Sequence, residues 1–146
     1  MSREQIYNAV FVAGSTATGF NAKSRRLRHI EDLQPSEFPA FFQVQDDESW
    51  QHGNNMGNLP PIGEYHVEWW IYTFEPDPNL PPATRLNNAL DAVTAALALP
   101  PAAPGFKQSL GGLVESVQLS GAISIAEGVL GDRAVARIPL VIKLKS

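Results

Sequence analysis

Apolar positions along the chain switch between the helix period and the strand period, and the switches set out the elements. Ile6, Tyr7, Val10 and Phe11 form one apolar stripe behind Ser2-Arg-Glu-Gln5. A serine hydroxyl with a glutamine three residues on makes a capping box, so the first helix is predicted to start at Ser2. Gly14 and the run Ser15 to Gly19 end it, because glycine and small hydroxyl residues favour turns. A short strand through Leu27 is predicted next, with Pro35 and Pro39 punctuating the approach to a second strand, Ala40 to Gln45, that has Phe42 and Val44 on one face.

Glu64 to Phe74 reads as the longest strand, with Tyr65, Val67, Trp69 and Ile71 on one face throughout. Its other face changes from Glu64, His66 and Glu68 to Trp70, Tyr72 and Phe74, so the second half is expected to be covered on both sides. A helix of the same chain or a neighbouring subunit would serve as the cover. Leu86, Leu90, Val93 and Leu97, with Ala89 and Ala96, recur at helical spacing up to Pro100-Pro101. From Leu113 to Glu127 the odd positions Val117, Leu119, Ile123 and Ile125 alternate with small polar residues, a half-buried strand with a bend or bulge at Gly121.

The last strand, Ala134 to Leu144, is apolar through Ile138, Leu140, Ile142 and Leu144. Pro139 lacks an amide and is expected at a sheet edge or bulge. The sequence therefore predicts one α+β domain over residues 1–146, two helices packed on one mostly antiparallel sheet, with a long loop between the second and third strands.

Composition refines this picture. Residues 1–30 hold five basic and one acidic residue, 31–75 hold none and nine, and 76–146 hold six and five, for a net charge of −4. An acidic middle beside the basic stretch Lys23 to Arg28 gives two complementary surfaces on which one copy would dock head-to-tail on the next. The modest acidic balance argues against tight binding of double-stranded nucleic acid, which relies on Lys and Arg at phosphates. Without cysteine the chain has no disulfide, thiolate catalysis or Cys-ligated zinc. The polar N-terminus lacks a signal-peptide pattern and no apolar run is long enough to span a bilayer, so a soluble chain outside the membrane is expected.

No catalytic signature emerges, and no catalytic, cofactor-binding or metal residue is assigned. Asp46-Asp47-Glu48 with His52 is the densest set of oxygen and nitrogen donors, but its spacing fits no EF-hand. His29, His52 and His66 lie in no recognisable nucleophile, zinc or phosphate motif. His66 alternates with Glu64 and Glu68 as a surface histidine near carboxylates. One feature calls for a role: about seventeen residues, Asp46 to Ile62, join two good strands, and loops of that length are usually functional or disordered. Asp46, Asp47, Glu48, Trp50, His52 and Met56 make it a candidate docking segment, with tryptophan as an anchor.

Taken in order, Ser2-Arg-Glu-Gln-Ile-Tyr, Ser24-Arg-Arg-Leu-Arg-His, Pro39-Ala-Phe-Phe-Gln, Leu86-Asn-Asn-Ala-Leu-Asp-Ala-Val, Leu110-Gly-Gly-Leu-Val and Glu127-Gly-Val-Leu-Gly-Asp resemble the tail terminator (tail completion, minor tail) proteins of long-tailed bacteriophages. The resemblance implies a non-enzymatic virion protein of the head-proximal tail end, assembled in the host cytoplasm. It would form a hexameric ring that caps the tail tube protein, stops its polymerisation and meets the head-tail connector protein, while DNA passes through without specific binding. On that reading Arg25, Arg26 and Arg28 of one copy face an acidic surface with Glu64 and Glu68 on the next, the 46–62 loop docks on the tube, and Ser116, Gln118, Ser120 and Ser124 line the lumen. A head-closure or tube subunit of the same particle would share these features. From another class, a small ligand-binding or hydrolase domain would need a pocket with convergent polar groups.

Overall fold

The capping box at Ser2 forms as its spacing predicts. In the computed structural model, which describes residues 2–17, 19–51, 62–97 and 108–145, the Ser2 hydroxyl accepts the Gln5 amide at 3.2 Å and the Gln5 side chain accepts the Ser2 amide at 3.0 Å. Helix α1 (Arg3–Ser15) follows, then strand β1 (Ala22–Ser24), two single 3-10 turns (Ile30–Asp32 and Pro35–Glu37), β2 (Ala40–Gln51), β3 (Ile62–Phe74), helix α2 (Ala83–Leu97), β4 (Ser116–Leu119), β5 (Ser124–Leu130) and β6 (Arg133–Lys143). The strands form one sheet in the order β1-β2-β3-β6-β4, with β5 also on β6. Only the β1–β2 pair is parallel. This is the predicted α+β class, two helices on a mostly antiparallel sheet.

Both helices lie on one face, where strand alternation delivers Phe41, Tyr65, Val67, Trp69, Ile71, Ile138, Leu140 and Ile142 to Ile6, Tyr7 and Val10 of α1 and Leu86, Ala89 and Val93 of α2. Trp69 is fully buried at the centre. It meets Phe41 edge-on at 5.2 Å, and α1 crosses both rings at Gly14. A Cβ there would stand 2.6 Å from Phe41 Cζ and 2.7 Å from Trp69 Cζ2, so only glycine permits this approach. Gln43, one of the few buried polar residues, joins the layers: its amide donates to the Tyr7 carbonyl at 2.9 Å and its carbonyl accepts the Trp69 indole at 3.0 Å.

Among the described residues, the second face is covered at one end only. Ile30, Leu33 and Phe38, from the excursion between β1 and β2, pack on Ala40, Phe42 and Tyr72, with Trp70 and Phe74 beside them. The cover demanded by the apolar second half of β3 is thus a non-helical segment of the same chain. It is tied by the Tyr72 hydroxyl to the Arg28 carbonyl at 2.9 Å.

Several sequence expectations change. The first strand ends at Ser24, so Arg25, Arg26 and Arg28 follow it rather than lie within it. The second strand runs on to Gln51 past an irregularity at Asp46 and Asp47, so Glu48 to Gln51 pair with β3 instead of belonging to a loop; the remaining connection, 52–61, falls outside the described residues. So do Pro100 and Pro101.

The 113–127 strand is two strands, broken around Gly121 at φ +83°, a backbone conformation that glycine adopts without strain. Of its odd positions Val117 is buried, whereas Leu119 and Ile125 are exposed. Pro139 sits in neither an edge strand nor a bulge, for β6 is central. Its carbonyl accepts the Ser120 amide at 2.9 Å. The nitrogen of the same residue turns to the same side, and so it meets the gap between β4 and β5, where no ladder bond is lost.

Candidate functional site

The register of β3, β6 and β4 assembles the open half of the second sheet face. Glu64, His66 and Glu68 lie opposite Lys143, Val141 and Pro139, and Gln118 lies opposite Val141 on the other side. Ser124 of β5 stands opposite Arg137, which stands opposite Trp70. The acidic strip and the small polar residues assigned from sequence to two different surfaces therefore share one face. Ser116 belongs to it by alternation but is buried, whereas Gln118 and Ser124 are exposed and Ser120 is intermediate.

Arg137 organises this face, and the sequence reading missed it. Its guanidinium donates to Glu68 at 2.7 Å and lies 4.8 Å from the centre of the Trp70 ring, a cation-π geometry. The strand alternation that put Glu68 and Trp70 on one face carried the signal. What it lacked was the register that sets Arg137 beside both. Glu64 and His66 approach within 3.8 Å.

The basic stretch is largely occupied within the chain. Arg25 bonds to Glu4 and, at 3.0 Å, to the Gln45 side chain. Arg28 bonds to Glu37 and to the Asp32 carbonyl, holding the Glu37 carboxyl below the usual range. Arg26 makes no ion pair among the described residues, and neither does Lys23. Arg25 and Arg28 thus bond to residues other than the Glu64 and Glu68 proposed as their partners.

The docking-segment residues that are described belong to β2. Arg3 clasps Glu48 at 2.7 and 3.1 Å and depresses its carboxyl pKa. Trp50 is 46% exposed, donates to Glu48 at 3.4 Å, meets Tyr65 edge-on at 6.2 Å and lies against Gly63, where a Cβ would stand 2.5 Å from its ring. It flanks a shallow groove of 280 Å³ shared with Ile6, Tyr65, Leu113 and Leu144. The Asp46 carboxylate accepts the Asp47 amide at 2.9 Å. His52 and Met56 lie outside the described residues.

Among the described residues no group of three or more His, Asp or Glu is placed to hold a metal ion, and no helix is long and apolar enough to cross a membrane. A groove of 320 Å³ runs between Leu27, Arg28, His29 and Ile30 and the sheet residues Trp70, Tyr72 and Val135. The Tyr7 hydroxyl is buried without a hydrogen-bond partner. Burial, followed by the nearby Glu48 carboxylate, pushes its pKa up to about 12. No protein-family model and no curated protein matches this chain.

Proposed function

We propose that this chain is a structural subunit of a bacteriophage tail that closes into a six-fold ring at the head-proximal end of the tail tube, stops tube polymerisation and offers the next surface to the head connector. The observation that carries the reading is the half-open sheet. One face is filled by two helices, whereas the open half of the other presents Gln118, Ser120 and Ser124 beside Glu64, His66 and Glu68. Its arginine is held by Glu68 and Trp70. A lumen lined this way offers DNA few free cations and lets it slide, since affinity for phosphate rests on unpaired Lys and Arg.

The test is addition of the purified chain to growing tail tubes, with tube length and end structure followed by electron microscopy. Tubes that stop short and carry a ring at one end support a terminator. Open-ended polymers of the chain by itself would make it a tube subunit, and tubes of unchanged length with bare ends would sink the reading.

A further inference from the structure

The sheet has two outer edges, and among the described residues no strand pairs beyond β5 on one or β1 on the other. Edge strands that stay single are commonly protected by Lys, Pro, a bulge or a cover. Ser124 to Leu130 contains no Lys, Arg or Pro, its irregularity falls after Glu127, and Ile125 is 55% exposed.

Its backbone polarity can be read from its neighbours. The Ser120 and Glu115 amides donate to the Pro139 and Lys143 carbonyls at 2.9 Å each, so odd residues of β6 turn toward β4 and β5. Ser124 and Ala126 stand opposite two of these, Arg137 and Val135. Ile125 and Glu127 therefore turn their amides and carbonyls outward. Val117, on the parallel-running β4, does the same and donates its amide outward to Gln108 at 2.8 Å.

On the opposite side the outer strand is β1. The Pro39 carbonyl accepts the Asn21 amide at 2.9 Å, so odd residues of β2 turn toward β1. In a parallel pair, neighbours on one face turn the same way, and Lys23, level with Phe41, therefore turns outward. Strand direction reverses from β2 to β3, from β3 to β6 and from β6 to β5. β5 of one copy thus runs antiparallel to β1 of a copy placed head-to-tail beside it.

We propose that neighbouring copies of this chain join by antiparallel pairing of β5 of one with β1 of the next, Ile125 opposite Lys23, so that the sheet continues from copy to copy. The inference deepens the ring reading and rests on it for closure of the series. Charge favours the match: Lys23 lies diagonal to Glu127, which is exposed and uses one oxygen on the Ala83 amide at 2.7 Å. The lysine stem covers Ile125 while its ammonium reaches the carboxylate. Two-fold pairing of β5 with itself about Ala126 or Glu127 would instead set two Glu127 side chains diagonal or opposite to each other, and about Ile125 it would leave Glu127 without a cation.

The experiment uses the absence of cysteine. Within one chain, positions 23 and 125 lie four strand spacings apart, roughly 19 Å, beyond the reach of a disulfide. Full-length Lys23→Cys and Ile125→Cys chains are mixed and oxidised. A cross-linked pair in the mixture, absent from either variant alone, is expected, and the double variant should give a covalent ladder up to the closed ring. Ile125→Pro removes an outward amide while keeping the β5–β6 ladder, and should weaken assembly about tenfold. Cross-linking by Ile125→Cys alone would overturn the proposal in favour of two-fold pairing. Closed rings by native mass spectrometry without a mixed cross-link would overturn the pairing and leave the ring reading standing. A chain that neither cross-links nor assembles would count against both.

Discussion

Trp69 and Glu68 are neighbours in β3, yet one is the centre of the core and the other stands half in solvent. The strand is the same; what differs is the cover. On the helix face α1 and α2 span the sheet from Tyr65 to Ile71, whereas on the other face the segment from Ile30 to Phe38 covers only the end near Tyr72. One side consequently holds the main core, and the described part of the other leaves polar and charged side chains at the surface. Inside the helix layer the Gln43 side chain is bonded at both its nitrogen and its oxygen, whereas the Tyr7 hydroxyl is left without a partner; on the open half Glu68 and Arg137 pair with each other.

That contrast breaks most directly at Trp69. Trp69→Ala should cost about 3–5 kcal/mol in chemical denaturation, because it removes the largest fully buried side chain and orphans Gln43. A loss below about 1 kcal/mol would mean that the helix layer is not the seat of stability.

Gly14→Ala attacks the same layer from the helix side. The added methyl meets two ring edges at the heart of the aromatic packing, so a loss of about 1–3 kcal/mol is expected. An unchanged or raised denaturation midpoint would show that α1 can move off the sheet.

Titration compares the faces through their tyrosines. Burial raises the pKa of Tyr7 on the helix face to about 12 and also raises that of Tyr72 on the other face. The folded chain then holds these phenol protons more tightly than the unfolded chain, whose ordinary value is 10.0. The associated stability is complete below pH 10 and is lost as pH rises toward 12. Ultraviolet absorbance should show Tyr7 ionising near pH 12, a step that Tyr7→Phe removes; loss of absorbance change near 10.0 in that variant would contradict its burial.

The smallest effect is expected on the open half. Arg137→Ala removes an exposed ion pair and a cation-π contact and should change stability by no more than about 1 kcal/mol. The readout of interest is assembly, where the variant exposes Glu68 and Trp70 to a neighbouring copy. A loss as large as that of Trp69→Ala would place Arg137 in the core of the fold.

Much of this was legible in the chain. The capping box, both helix stripes and the buried face of β3 follow from short-range periodicity, which local sterics and side-chain spacing dictate. Strand length was less legible. Asp46 to Trp50 look like loop, yet pairing of Glu48 to Gln51 with β3 carries the strand on past Asp46 and Asp47, and backbone hydrogen bonds to a partner strand override low strand propensity. Pro139 misled for a related reason: an imino nitrogen forbids a ladder bond only on the side it faces, and which side that is depends on register.

The residues proposed for assembly divide along the same line. The sequence alone determined that the chain has an acidic middle, a basic stretch before it and a small polar run after it, because charge and composition need no coordinates. Tertiary structure decided that Arg25 and Arg28 bond to Glu4 and Glu37, that Glu68 bonds to Arg137, and that Gln118 and Ser124 share a face with Glu64 and His66. Apart from Arg28 and Glu37, nine residues apart, those partners come from distant segments, and helix docking and strand register set which of them meet.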